Sequence, residues 1–124
     1  AGMILEKIVN EYFEIPFERS EYMILVGYLK KNLRNNIPFP AVIHEDFSSR
    51  LQTINIKNKF YNSLLNNLLK NEMISMIINT SFNVKDEPIV ETPNDALNTF
   101  YRSDIDVLFI ENYMIRKNED SNSK

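Results

Sequence analysis

Cysteine is missing from the 124 residues, and histidine occurs once. The first absence excludes disulfides and thiolate chemistry, and the second leaves no histidine-based metal cluster to assemble. No apolar run approaches the ~20 residues that a bilayer-spanning helix needs. The N-terminus also lacks the basic-then-apolar layout of a secretory signal, so a soluble cytoplasmic protein is the expectation. Basic residues do not predominate: 14 Lys and Arg stand against 17 Asp and Glu, for a net charge of −3 and a pI near 5.2. That balance argues against a broad nucleic-acid or membrane footprint, although a local basic pocket fits inside an acidic total. There is no internal repeat, low-complexity core or linker. With 44% hydrophobic and 25% charged residues, the chain has the makings of one ordinary domain.

The elements alternate. Leu5, Ile8, Val9, Tyr12 and Phe13 recur at helical spacing, which predicts an opening amphipathic helix ended by Pro16. Residues 22–28 form an apolar and aromatic run of strand length, followed by a polar, basic loop over 30–36, in which Lys30, Lys31 and Arg34 read as solvated. Residues 51–56 alternate as a strand does, with Leu51, Thr53 and Asn55 on one face. Phe60, Tyr61, Leu64, Leu65, Leu68 and Leu69 make a helical stripe. Residues 74–78 then read as a central, buried strand. Thr92, Pro93 and Asp95 stand where an N-cap, a first helical position and a capping-box acid belong, so a helix starts there and carries Ala96, Leu97, Phe100 and Tyr101 inward. Core packing is the expectation for Phe60, Tyr61, Phe100 and Tyr101. Residues 107–110 and 113–115 suggest a hairpin around Glu111 and Asn112, and 118–124 a solvated, disordered tail. The sum is a mixed α/β domain with about five strands and about three helices in one mixed sheet.

Two segments carry chemistry. Residues Ile77-Ile78-Asn79-Thr80-Ser81-Phe82-Asn83 stop an apolar run abruptly at small hydrogen-bonding side chains. Such groups at a strand end suit ligand binding, or they bond local backbone in a turn. The second segment crowds His44, Asp46, Ser48, Ser49 and Arg50 ahead of a strand. Arg50 offers a permanently charged fork of donors suited to phosphate, or a surface ion pair with Glu45 or Asp46. His44 is a catalytic proton carrier or a hydrogen-bonded scaffold residue, and Lys85 adds a second cation beside the 79–83 loop.

Asn79-Thr80-Ser81-Phe82-Asn83-Val84-Lys85, Glu87-Pro88-Ile89-Val90, Thr92-Pro93 and Asp95-Ala96 together resemble the C-terminal domain of NodU/CmcH-type carbamoyltransferases. Upstream, Glu11-Tyr12-Phe13, Ser20-Glu21-Tyr22-Met23, Pro40-Ala41-Val42 and then His44, Asp46, Arg50, Gln52 and Thr53 fall in that family's order. Downstream, residues 106–113 close a resemblance that covers roughly residues 1 to 117. Glycines usual in the family are replaced by Phe47, Met73 and Asp86, and a proline by Ser75. A glycine position marks positive φ or close approach, which puts the loops at 47 and 86 in question.

The resemblance implies a YrdC-like domain, short at its N-terminal end, in which ATP and carbamoyl phosphate form carbamoyl adenylate before transfer to a hydroxyl acceptor. Magnesium would accompany the ATP; no metal ligands are expected from this chain. Implied catalytic residues are His44 and Arg50, and implied substrate and nucleotide contacts are Ser48, Ser49, Arg50, Asn79, Thr80, Ser81, Asn83 and Lys85. The implied partner is an N-terminal acceptor domain bearing a metal, and the family's arginine-bearing segments lie upstream of Ala1. The alternative is a binding or assembly module that keeps the fold without catalysis.

Overall fold

The computed structural model describes residues 1–117. Its elements are β1 (Gly2–Leu5), α1 (Val9–Tyr12), β2 (Phe13–Glu14), β3 (Leu25–Leu29), β4 (Ser48–Ile54), α2 (Lys59–Glu72), β5 (Met76–Ile78), α3 (Pro93–Arg102), β6 (Val107–Ile110) and β7 (Tyr113–Arg116). The expected mixed α/β class, five-stranded mixed sheet and three helices are all present among the described residues; the predicted tail at 118–124 lies outside them. The chain divides into two compact units, Ala1–Thr80 and a second that begins at Ser81.

In the first unit the strand order is β2-β3-β4-β1-β5. β1 runs parallel to β4, and the other pairings are antiparallel. All four residues of β1 are buried, and Met3, Ile4 and Leu5 join Phe13, Leu29, Leu51, Ile54 and Leu65 in one apolar cluster. Both glycines serve close packing. A Cβ on Gly2 would lie 2.5 Å from Met76 Sδ, and one on Gly27 would lie 2.7 Å from Leu51 Cδ1.

Two expectations fail here for one reason. The opening segment is a strand followed by a single helical turn, because the Met3-Ile4-Leu5 run is buried on both faces between two neighbours; only Val9–Tyr12 is helical. With β1 holding that inner position, residues 74–78 give a three-residue edge strand instead of a central one. Ile78 is 55% exposed there, and Ile74, outside the strand, is 42% exposed. Three smaller corrections follow. β3 begins only at Leu25, since Met23 turns the chain with φ 58°. Phe60 and Tyr101 stay in solvent, Tyr61 is only partly covered, and only Phe100 of the four expected core aromatics is fully buried. Arg34 is not free: its Nε donates to the Leu29 carbonyl at 3.0 Å and its guanidinium lies 4.5 Å over the Phe47 ring.

In the second unit α3 opens with the predicted capping box. The Thr92 hydroxyl accepts from the Asp95 N–H, and the Asp95 carboxylate accepts from the Thr92 N–H at 3.0 Å. β6 and β7 form the predicted hairpin, with Ile110 opposite Tyr113 and Glu111 at φ 50° in the loop. Ala96, Phe100 and Leu108 make its small core, with Phe82, Val90 and Leu97 packed against them.

Candidate functional site

β4 extends further back than its alternation suggested, so Ser48, Ser49 and Arg50 are strand residues and not a loop ahead of one. Because successive side chains of a strand point to opposite faces, Arg50 and Gln52 share one face while Ser49, Leu51 and Thr53 share the other. Ser49 is fully buried, as are Leu51 and Thr53. Ser49 and Arg50 therefore do not meet on one surface. Arg50 is exposed, stands opposite Val26 of β3, and makes no ion pair among the described residues, so the expected alternatives at Glu45 and Asp46 are not its partners.

Asn79 comes to the same face from β5. Met3 pairs with Gln52 on one side and Ile77 on the other. Continuing both registers by two residues aligns Arg50, Ala1 and Asn79 in one row across the sheet. There the Asn79 N–H donates to the Ala1 carbonyl at 2.9 Å and the Ala1 α-ammonium donates to the Asn79 carbonyl at 3.0 Å. The Asn79 amide Nδ2 donates to Gln52 Oε1 at 2.7 Å, crossing β1 to do so. Gln52 in turn donates Nε2 to the Glu21 carbonyl at 2.9 Å. Gln52 carries no chemical signal of its own in the motif; its place two residues from Arg50 on one strand is the signal that puts it at this face.

Glu21 is held by a buried anchor. Ser20 donates its N–H to Thr53 Oγ1 at 2.7 Å and its hydroxyl to the Leu51 carbonyl at 2.8 Å, while the Thr53 N–H donates to the Ser20 carbonyl. Gln52 also lines an open crevice of about 640 Å³ with Tyr22, Asn55, Lys57 and Lys59.

His44 lies in a tight turn before β4. The Phe47 N–H donates to the His44 carbonyl and the His44 N–H to the Ser48 carbonyl, both at 2.9 Å, with Phe47 at φ 64°. This is a type I turn closed by a residue in the left-handed region, the position usually held by glycine. Asp46 is held below its ordinary value by hydrogen bonding from Ser48, side chain first and backbone second, with His44 adding attraction. The His44 side chain is exposed.

The remaining residues divide between the units. Thr80 is exposed and closes the first. Ser81, Asn83 and Lys85 belong to the second, where Ser81 and Lys85 are exposed and Asn83 Nδ2 bridges the Val84 and Glu87 carbonyls at 3.2 and 3.1 Å. The Glu87 N–H closes a turn onto Val84, and Asp86, at its third position, has φ 67°. A type II turn asks for glycine there; Asp tolerates the region better than most residues. Among the described residues no three His, Cys, Asp or Glu side chains are grouped to hold a metal ion, and no helix is long and apolar enough to cross a membrane.

The motif order agrees with the comparison to known proteins. The family model described as "Carbamoyltransferase C-terminus" matches residues 1–117. The chain belongs to that family. Among its relatives, nodulation protein NolNO of Sinorhizobium fredii is 38% identical over 120 residues, spanning 94% of this chain and 17% of that protein. Uncharacterized protein sll1178 of Synechocystis is 35% identical over 136 residues, and nodulation protein NolO of Bradyrhizobium diazoefficiens 31% over 118; each match spans 94% of this chain and 22% of the relative. The chain thus spans about a fifth of the length of the curated relatives it matches.

Proposed function

We propose that this chain is part of an ATP-dependent O-carbamoyltransferase and contributes to the site where carbamoyl phosphate and ATP form carbamoyl adenylate, before transfer to a hydroxyl acceptor. The observation that carries the reading is Arg50: an exposed guanidinium with no ionic partner among the described residues, at the accessible end of a sheet face, in a chain of this family. Joining two anions needs preorganised cations and donors to offset phosphate repulsion and to stabilise charge developing in transfer. Arg50 takes a phosphate in this reading, and Asn79 and Thr80 supply polar contacts beside it. Ser81, Asn83 and Lys85 are proposed as nucleotide contacts, Ser48 and Ser49 as the strand backbone that carries Arg50, and His44 as the proton carrier. Magnesium would arrive on the triphosphate, whose oxygens it favours. The acceptor and its metal-bearing domain belong to the larger part of the enzyme, in the cytoplasm.

Arg50 and Lys85 are too few cations for two phosphate substrates, so the 124-residue chain alone is expected to be catalytically silent with weak anion affinity. Pyrophosphate release from ATP and carbamoyl phosphate tests this, comparing the chain with a longer polypeptide that includes the upstream sequence its relatives have. In the longer protein Arg50→Ala should cut adenylate formation about a hundredfold and leave the melting temperature unchanged. Unchanged kinetics would remove Arg50 from the site. Equal turnover by the short chain would show that the site is complete without the rest.

A second reading, a non-catalytic assembly module, is favoured by exposed apolar side chains. Tyr22 and Ile24 are 76% and 75% exposed, and Ile56 and Phe60 81% and 71%. Under it, charge substitutions at these positions abolish association with the rest of the enzyme, and Arg50→Ala changes nothing.

A further inference from the structure

Which end of a side-chain amide is oxygen is settled by its partners, and on this sheet face the partners form a directed chain. The Glu21 carbonyl only accepts, so the end of Gln52 that meets it at 2.9 Å is the NH2 group. The other end of Gln52 is then its carbonyl, which only accepts, so the atom of Asn79 that meets it at 2.7 Å is Nδ2. That leaves Asn79 with its carbonyl Oδ1 free, and no group among the described residues donates to it. The start of the chain is rigid, because Ser20 and Thr53, both 2% exposed, lock the segment carrying Glu21 against β4.

Met3 and Leu5 are buried further along this face, but its end row at Arg50, Ala1 and Asn79 is accessible and has chemical polarity. At Arg50 it presents donors and positive charge only. At Asn79, two strand spacings or roughly 10 Å away between Cα atoms, it presents an oriented acceptor. A ligand matching both has an anionic group at one end and N–H donors at the other.

The geometry points to Asn79 as a specificity-determining residue: its Oδ1 accepts from the NH2 of a carbamoyl group whose phosphate is held by Arg50, and Gln52 is the positioning residue that keeps this oxygen outward. This rests on the carbamoyl phosphate reading above and extends it to the discrimination of a carbamoyl from an acyl phosphate. Acetyl phosphate has the same shape but offers a methyl group where carbamoyl phosphate offers NH2. It would leave Asn79 Oδ1 without its bond, and neither Arg50 nor the ligand phosphate would register the difference.

The test uses the 15N-labelled 124-residue chain titrated with carbamoyl phosphate, acetyl phosphate and inorganic phosphate, following the side-chain NH2 signals of Asn79 and Gln52 and the Arg50 amide. Carbamoyl phosphate should bind about five- to tenfold more tightly than acetyl phosphate, the worth of one net hydrogen bond. The ratio should fall to about one in Asn79→Ala and in Gln52→Leu, which frees the Asn79 amide to turn. Gln52→Glu still accepts from Asn79 Nδ2; it should weaken both ligands through its charge and keep the ratio, which a merely structural role for Gln52 would not do. Arg50→Ala should weaken all three ligands and leave the ratio alone. Equal affinity for the two acyl phosphates in the wild type, or a preference that survives Asn79→Ala, overturns the inference while leaving Arg50 as the anion site. Failure of all three ligands, at tens of millimolar, to move any of these signals overturns the inference and the anion affinity expected of Arg50 in this chain, while the carbamoyl phosphate reading itself stands or falls on the longer polypeptide.

Discussion

Helices α2 and α3 announce themselves in the same way and meet different fates. Each has apolar residues at helical spacing and a side-chain N-cap, Asn58 for α2 and Thr92 for α3. α3, ten residues long, buries Ala96, Thr99 and Phe100, whereas α2, with fourteen residues and the longer stripe, fully buries only Leu65. Phe60 and Tyr61 in its first turn stack edge to face with ring centroids 5.1 Å apart, and neither is fully buried. A 3.6-residue stripe identifies a helix. What the stripe covers depends on the surface offered to it, and α2 packs on β1, an inner strand only four residues long.

The comparison breaks if the two stripes prove energetically alike. Phe100→Ala empties a fully buried site and should cost about 3–5 kcal/mol, whereas Phe60→Ala should stay within about 0.5 kcal/mol. Urea denaturation of the two variants measures both. A loss at Phe60 comparable to that at Phe100 would mean the start of α2 is covered in solution.

The caps differ as well. Thr92 and Asp95 exchange bonds reciprocally, while Asn58 makes a single bond of 3.3 Å to the Tyr61 N–H. Thr92→Ala should therefore cost about 1 kcal/mol, and Asn58→Ala about half of that. The order reversed, by the same denaturation measurement, would show that the capping box is not what holds the start of α3.

The far end of α2 carries a stabilisable defect. Met73 adopts φ 54° at the helix C-terminus and is 88% exposed, so its side chain contributes little where its backbone is strained. Met73→Gly should stabilise by roughly 0.5–1 kcal/mol, the relief of a left-handed residue less the extra entropy glycine loses. Phe47→Gly has the same backbone motive but forfeits the contact with Arg34 and the packing against the core, so it should not stabilise. A rise in midpoint for Phe47→Gly equal to that for Met73→Gly would mean that the aromatic contact is worth nothing.

These positions also mark how far the sequence could be read. The three places where family glycines are replaced, Phe47, Met73 and Asp86, all have positive φ; the two further cases, Met23 and Glu111, left no such trace. The capping box and the hairpin were legible because local chemistry decides them. The strand order was not, because the burial of Met3-Ile4-Leu5 is decided by β4 and β5, distant in sequence. At the candidate site Arg50 and Asn79 were legible as residue types. The Gln52 bridge that sets the direction of the Asn79 amide was not, since it follows from a register no local pattern contains.

The smallest effect expected separates the two capped turns by pH. Hydrogen bonding from the Thr92 side chain first, then its backbone N–H, holds the Asp95 carboxyl below the ordinary 3.8. A carboxylate whose pKa is depressed by folding stabilises the native state above its unfolded pKa, and that contribution fades as pH falls through the folded value. The difference in melting temperature between wild type and Asp95→Asn should therefore be constant above about pH 5 and shrink on acidification. Asn58 of α2 has no titratable group to lose, so Asn58→Ala should run parallel to wild type over the same range. A gap for Asp95→Asn that widened toward low pH would reverse the sign of the coupling and assign the stability of α3 to something other than the ionised capping acid.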